Sequence, residues 1–225
     1  MHTGKGTVVE LTLENGLRHA RISCSTNLIP SPGQYLLAGA ASQSDPLPAP
    51  LFSTESTSQG FTACAPIPET WTPGTEITLR GPLGRGFALP PSARNVALVA
   101  FDDIPARLLN LMKNALGRDA AVVLVCNSSD HQLPDEVEIQ PLSALSEACE
   151  WADYAAFDVA RENLPGLKQM LGGQNQKSVG SVAQALIRTL MPCGGIADCG
   201  VCALTLKSNW KMICKDGPVF DWDEI

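Results

Sequence analysis

Four cysteines crowd into the 22 residues from Cys193 to Cys214, within MPCGGIADCGVCALTLKSNWKMICKDGPVF, at the spacing Cys-x5-Cys-x2-Cys-x11-Cys. The other four, Cys24, Cys64, Cys126 and Cys149, are scattered. Isolated cysteines in a reduced compartment behave as small buried hydrophobes. A cluster of thiols bound to one short loop is a different object. It demands a backbone that curls around something the thiols hold.

The spacing resembles a plant-type [2Fe–2S] site, Cys-x4-Cys-x2-Cys with a distant fourth cysteine. Two irons need four thiolates and carry bridging sulfides, so three ligands come from one loop and the fourth from another segment. Gly194, Gly195 and Gly200 allow close backbone approach, where a Cβ would clash or block an N–H···S contact. Ile196, Val201 and Ile213 are expected to limit water access. The first gap is one residue longer than in the plant-type pattern, which a glycine-rich loop absorbs as a bulge. Asp198 beside Cys199 is expected to lower the potential. Zinc and plain buried thiols are the alternatives. Zinc sites pair their ligands in two short arms, and buried thiols leave the glycines unexplained.

The chain around this cluster has three textures. Residues 1–92 carry short β signals: TVVELTL, the turn Asn15-Gly16, LRHARISC, Pro32-Gly33 before QYLLAGA, then FTACAPI and EITLRG. They predict a β barrel, with SQSDPLPAP as a loop or edge. Residues 93–180 read as an α/β domain with a parallel sheet. NVALVAF and AAVVLVCN are continuous apolar runs, VEIQPL is a shorter strand, and IPARLLNLMKNALG and ENLPGLKQMLGG have helical spacing. Residues 181–225 form the cluster segment, entered through SVAQALIRTL as a further helix. The 19 glycines and 17 prolines suit a chain with many turns.

A net charge of −7 excludes a general nucleic-acid or anionic-membrane surface, which needs clustered Lys and Arg. No apolar run approaches a membrane span, and MHTGKGTVVELTL lacks the basic and apolar regions of a secretory signal. A cytoplasmic protein is expected. His2 and His19 read as surface residues, and His131 lies in a polar loop with no triad around it. Trp210 and Trp222 read as packing residues and DWDEI as a solvated tail.

The run Met212–Phe220 resembles the iron–sulfur segment of the electron-transfer subunit of dihydroorotate dehydrogenase type B. Gly81-Pro82-Leu83-Gly84-Arg85-Gly86-Phe87 is similar to that family's signature at the end of its flavin barrel, and Pro32-Gly33-Gln34-Tyr35 to its early barrel turn. The order of textures is similar to the ferredoxin-reductase architecture. The resemblance implies FAD on the barrel, with Ser53, Gly81, Gly84 and Gly86 as its candidate contacts. It also implies a [2Fe–2S] cluster on Cys193, Cys199, Cys202 and Cys214, and a catalytic oxidoreductase subunit as partner.

Three motifs depart from that family. Its flavin strand, Arg-x-Tyr-Ser or Arg-Pro-x-Ser, is here Pro50-Leu51-Phe52-Ser53, which lacks the arginine for the FAD pyrophosphate. Its glycine-rich nucleotide turn is here Ala100-Phe101-Asp102-Asp103-Ile104-Pro105, in which Asp103 reads as a helix cap. Its Cys-Gly-Pro turn is replaced around Phe157-Asp158-Val159. NAD is therefore not expected, and FAD is expected to be weakened or lost. The chain reads as an electron-transfer subunit rather than a complete NADH-dependent reductase. A structural or assembly subunit is the alternative.

Overall fold

The structure is a computed structural model describing residues 1–14, 16–40, 47–64, 66–102, 104–127, 133–172 and 182–225. Asn15, Asp103, His131 and most of the SQSDPLPAP loop lie outside the described residues. The first layer is a closed barrel of β1 (His2–Glu14), β2 (Leu17–Cys24), β3 (Tyr35–Ala40), β4 (Ala49–Thr57), β5 (Gly60–Cys64) and β6 (Glu76–Leu83). Its strands run in the order β1-β2-β5-β4-β3-β6. Side-chain alternation fills it: Val8, Ile22, Leu36, Leu51, Phe61, Ile77 and Leu79 point inward. On β3 and β6 the intervening residues Tyr35, Leu37, Thr78 and Arg80 belong to the outer face, which carries the rest of the protein. His2 is the first residue of β1 rather than part of a tail, and His19 on β2 is buried rather than at the surface.

The second layer is a six-stranded sheet in the order β14-β11-β10-β7-β8-β9. Its strands are β7 (Asn95–Ala100), β8 (Ala121–Val125), β9 (Val137–Gln140), β10 (Tyr154–Ala160), β11 (Val182–Arg188) and β14 (Val219–Asp221). The first five run parallel, and β14 is an antiparallel edge. One face, with Leu98 and Leu124, packs on Leu111, Met112 and Ala115 of α1 (Leu109–Leu116). The other, with Val99, Val125 and Phe157, packs on α2 (Leu145–Trp151) and α3 (Leu164–Met170). Trp222 joins that face, its ring centroid 4.9 Å from that of Phe157. Such a pair adds about 0.5–1.5 kcal/mol beyond area burial.

Two expectations are corrected here. Val182–Arg188 is a strand of this sheet, not a helix leading into the cluster segment. It lies between β10 and β14, so Gln184 through Ile187 are all buried and no alternation is visible. Gln184, which reads as a helix's polar face, is satisfied inside: its Oε1 accepts from Tyr154 and its Nε2 donates to Asp221, both at 2.8 Å. Phe157-Asp158-Val159 likewise lies within β10 and forms no turn.

Barrel and sheet share a core. Tyr35, Leu37, Phe52 and Cys64 meet Ala106, Leu186 and Val219 there. At the rim Arg85 makes two hydrogen bonds of 2.8 Å to the Asp221 carboxylate, and its N–H donates to the Gly217 carbonyl at 2.6 Å. No helix among the described residues is long and apolar enough to cross a membrane.

Candidate functional site

The four clustered cysteines lie where the barrel's outer face meets the sheet. After β11 the chain enters a loop with Gly194, Gly195, Ala197 and Gly200 all at φ between 62° and 72°. A hairpin of β12 (Ala203–Thr205) and β13 (Trp210–Met212) follows, and then the single turn α4 (Ile213–Asp216), which carries Cys214. The Ile213 N–H donates to the Cys202 carbonyl at 3.0 Å, tying the third and fourth cysteines together. The Asp216 carboxylate accepts the Met212 N–H at 2.8 Å and braces the turn from its far end. Cys202 and Cys214 are buried in the core against the sheet, Cys193 is half-buried, and Cys199 is exposed.

Cys199 is a neighbour that bears on the Cys193 thiol, and Cys202 one that bears on Cys214. Backbone N–H groups of Asp198, Cys199 and Ile196 point at the Cys193 sulfur and hold its thiol down to about 6. Burial and the adjoining Cys202 push the Cys214 thiol up to about 12, against one N–H from Ala197. Positive φ at successive positions turns the loop's amides toward its concave side. Thiolates that accept several N–H groups are the donor set an iron–sulfur cluster uses. Among the described residues no three His, Cys, Asp or Glu side chains are placed to hold a single metal ion. A binuclear cluster asks only two thiolates of each iron.

The barrel buttresses this loop. Tyr35, fully buried, donates its hydroxyl to the Cys214 carbonyl at 2.6 Å. Burial, reinforced by Cys214, raises its pKa, so it remains a donor. A Cβ on Gly195 would stand 2.9 Å from that same hydroxyl and 3.1 Å from Leu37, so only glycine fits against the barrel wall. Arg80 of β6 donates to the Gly194 carbonyl. The expected apolar shield is one-sided. Ile213 is fully buried, but Ile196 and Val201 are 59% and 46% exposed, and Trp210 points to solvent at 67%. Trp222 and Ile225 are buried, so DWDEI is an anchored end, not a solvated tail.

The residues expected to hold FAD are engaged elsewhere. Ser53 is buried beneath α1, where Asn110 donates to it at 2.8 Å and to Ser56 at 3.1 Å. Gly84, at φ 72°, packs on the Gly217–Pro218 turn, where a Cβ would stand 2.3 Å from the Gly217 oxygen. Gly81 abuts Leu36 and Tyr35, and Gly86 abuts the Pro32 carbonyl. These glycines serve close packing. Asp102, in the turn after β7, accepts the Ala160 N–H at 2.7 Å and pairs with Arg188. Arg188 also bonds the fully buried Asp158 at 2.6 Å, which Arg107 approaches to 3.4 Å. Ser53 and Asp102, two groups that a dinucleotide's phosphates were expected to approach, are thus bonded within the protein. A cavity of about 830 Å³ remains between Phe52, Arg107, Arg161, Arg188 and Met191. The arginine–aspartate network had no signal in the sequence, since Asp102, Asp158 and Arg188 lie at the ends of three different strands and Arg107 on the helical turn at 105–108.

A barrel joined to a mostly parallel sheet is the ferredoxin-reductase-like fold, and here a cysteine loop folds back between the two. The NADH-dependent reduced ferredoxin–NADP oxidoreductase, studied for flavin-based electron bifurcation, shares this fold at a TM-score of 0.73 and 16% identity, over 97% of this chain and 88% of that one. The ferredoxin reductase of carbazole 1,9a-dioxygenase in its FAD apo form is similar at 0.57 and 14%, over 78% of this chain and 65% of that one. The siderophore-interacting protein from Acinetobacter baumannii is similar at 0.56 and 17%, over 86% and 94%. No curated protein matches the chain. More particularly, residues 189–225 match the family described as the iron–sulfur cluster binding domain of dihydroorotate dehydrogenase B. The resemblance carried by Met212–Phe220 holds, and this segment is of iron–sulfur-binding, electron-transfer type.

Proposed function

We propose that Cys193, Cys199, Cys202 and Cys214 hold one [2Fe–2S] cluster, and that the chain is the electron-transfer subunit of an oxidoreductase complex. The observation that carries this reading is the gathering of the four cysteines on one positive-φ loop and the turn tied to it by the Ile213 N–H to Cys202 carbonyl hydrogen bond. When bound, the cluster supplies one-electron redox chemistry. The protein's part is to hold it with one side against the core and the other at the surface. Cys202 and Cys214 lie inside, and Cys199 with Ile196 and Val201 lies outside. The exposed side is where a catalytic partner subunit would exchange electrons. With Ser53 engaged by Asn110, this reading has the electrons come at least part of the time from a flavin on the partner.

The test is co-purification with the partner under anaerobic conditions, followed by mixing of separately reduced and oxidised subunits. Loss of the cluster's reduced signal as the partner flavin bleaches supports a relay. A cluster that stays reduced in the complex contradicts it.

The alternative of a structural subunit rests on a different observation. Cys202 and Cys214 belong to the same packed core as Phe157 and Trp222, so a cluster there also staples the C-terminal segment to the sheet. That reading predicts a complex which assembles only with the cluster present but turns over equally well when the cluster is held reduced.

A further inference from the structure

Two cations touch the cysteine loop: Arg161 donates to the Val201 and Ala203 carbonyls at 2.6 and 3.1 Å, and Arg80 holds the opposite end, beside Cys193. On β6 Ile77 and Leu79 fill the barrel, so Arg80 belongs to the outer face, where the loop lies. Its guanidinium donates to the Gly194 carbonyl, and a Cβ on Gly195 would stand 3.8 Å from the same nitrogen. Cys193, Pro192, Ile196 and Leu37 line a largely apolar cavity of about 470 Å³ with it. Among the described residues no carboxylate forms an ion pair with Arg80, so its charge is not cancelled locally. Reducing a cluster adds one negative charge, and a cluster's potential follows the charge, hydrogen bonding and exposure around it. A half-buried cation touching the loop of a ligand acts on that charge through protein rather than bulk water.

We propose that Arg80 sets the reduction potential of the cluster, favouring the reduced state by its charge while its hydrogen bond seats the Cys193–Gly195 loop on the barrel. This rests on the cluster assignment above. Arg80 is a positioning residue here and touches no reacting atom. Asp198, in the same loop, supplies an opposing charge and Arg161 a second positive one, so Arg80 shifts the potential against the background of both.

The experiment is a potentiometric titration, followed by electron paramagnetic resonance, of the anaerobically purified full chain carrying Arg80, Arg80→Lys or Arg80→Gln. Arg80→Gln is expected to shift the midpoint to more negative potential, and Arg80→Lys to stay near the parent value. Raising the ionic strength should narrow the difference, because the side chain is only half-buried. Iron retained by Arg80→Lys but lost from Arg80→Gln would support the seating role. An unchanged midpoint in Arg80→Gln, a shift in Arg80→Lys as large as in Arg80→Gln, or iron lost from both would overturn the proposal. A parent chain with no [2Fe–2S] signal would instead sink the cluster assignment itself.

Discussion

The Tyr35 hydroxyl and the Cys214 carbonyl meet at 2.6 Å although 179 residues separate them in the chain. The barrel thereby grips the turn that carries the last cysteine. Removing the hydroxyl leaves a buried carbonyl without its donor, which costs about 1–3 kcal/mol. Tyr35→Phe is expected to lower the unfolding free energy by that amount and to speed the loss of iron to a chelator. An unchanged rate of iron loss would show that the barrel does not brace the site.

Gly195 is pinned by two constraints, φ of 68° and the Tyr35 hydroxyl 2.9 Å from where a Cβ would stand. Gly195→Ala should therefore reduce iron occupancy severely. Gly74, at φ 91° with open space around it, is the control. Gly74→Ala carries only backbone strain of about 1–2 kcal/mol and should keep its iron. Equal iron in both variants would contradict the packing argument.

Much of this fold is legible in the sequence, for a physical reason. Ile77 and Leu79 alternate with Thr78 and Arg80 because one face of β6 is buried, and the run AVVLV is continuous because both faces of β8 are. The cysteine spacing is local, so it survives without the fold. What is not legible depends on distant partners. Val182–Arg188 reads as a helix because nothing local reveals that β10 and β14 flank it. Trp210 and Trp222 look alike in sequence, yet only Trp222 finds an aromatic neighbour in Phe157. The support that Tyr35 and Arg80 give the cluster loop comes from neighbouring strands, β3 and β6, that are more than a hundred residues from the loop in the chain.

Nucleotide binding is the next consequence. With Asn110 on Ser53 and Asp102 on the Ala160 N–H, the isolated chain should leave gel filtration without stoichiometric FAD, and calorimetry should show no micromolar NADH binding. Asn110→Ala should cost about 1–3 kcal/mol of stability through the buried Ser53 hydroxyl it leaves without a donor. Stoichiometric flavin in the parent chain would mean that the phosphates are held by groups other than Ser53.

Acid sensitivity follows from Asp153. Its carboxylate accepts the Arg94 and Asn95 N–H groups, each at 3.0 Å, and these hold its pKa below the ordinary 3.8. A depressed carboxylate pKa contributes stability that is present above the unfolded value and disappears as pH falls through the folded one. Parent and Asp153→Asn proteins should differ in urea midpoint at neutral pH and converge as the pH falls below the ordinary carboxylate range. A difference that persists or grows in acid would refute the role of the charge.

The most direct measurement is metal and sulfide analysis of anaerobically purified parent, Cys202→Ser and Cys126→Ser chains. Cys126 sits in the other face of the sheet's core, away from the loop. Parent and Cys126→Ser should each carry about two irons and about two acid-labile sulfides per chain, and Cys202→Ser should carry little of either. Equal iron in the two variants, or zinc in place of iron in the parent, would contradict the assignment.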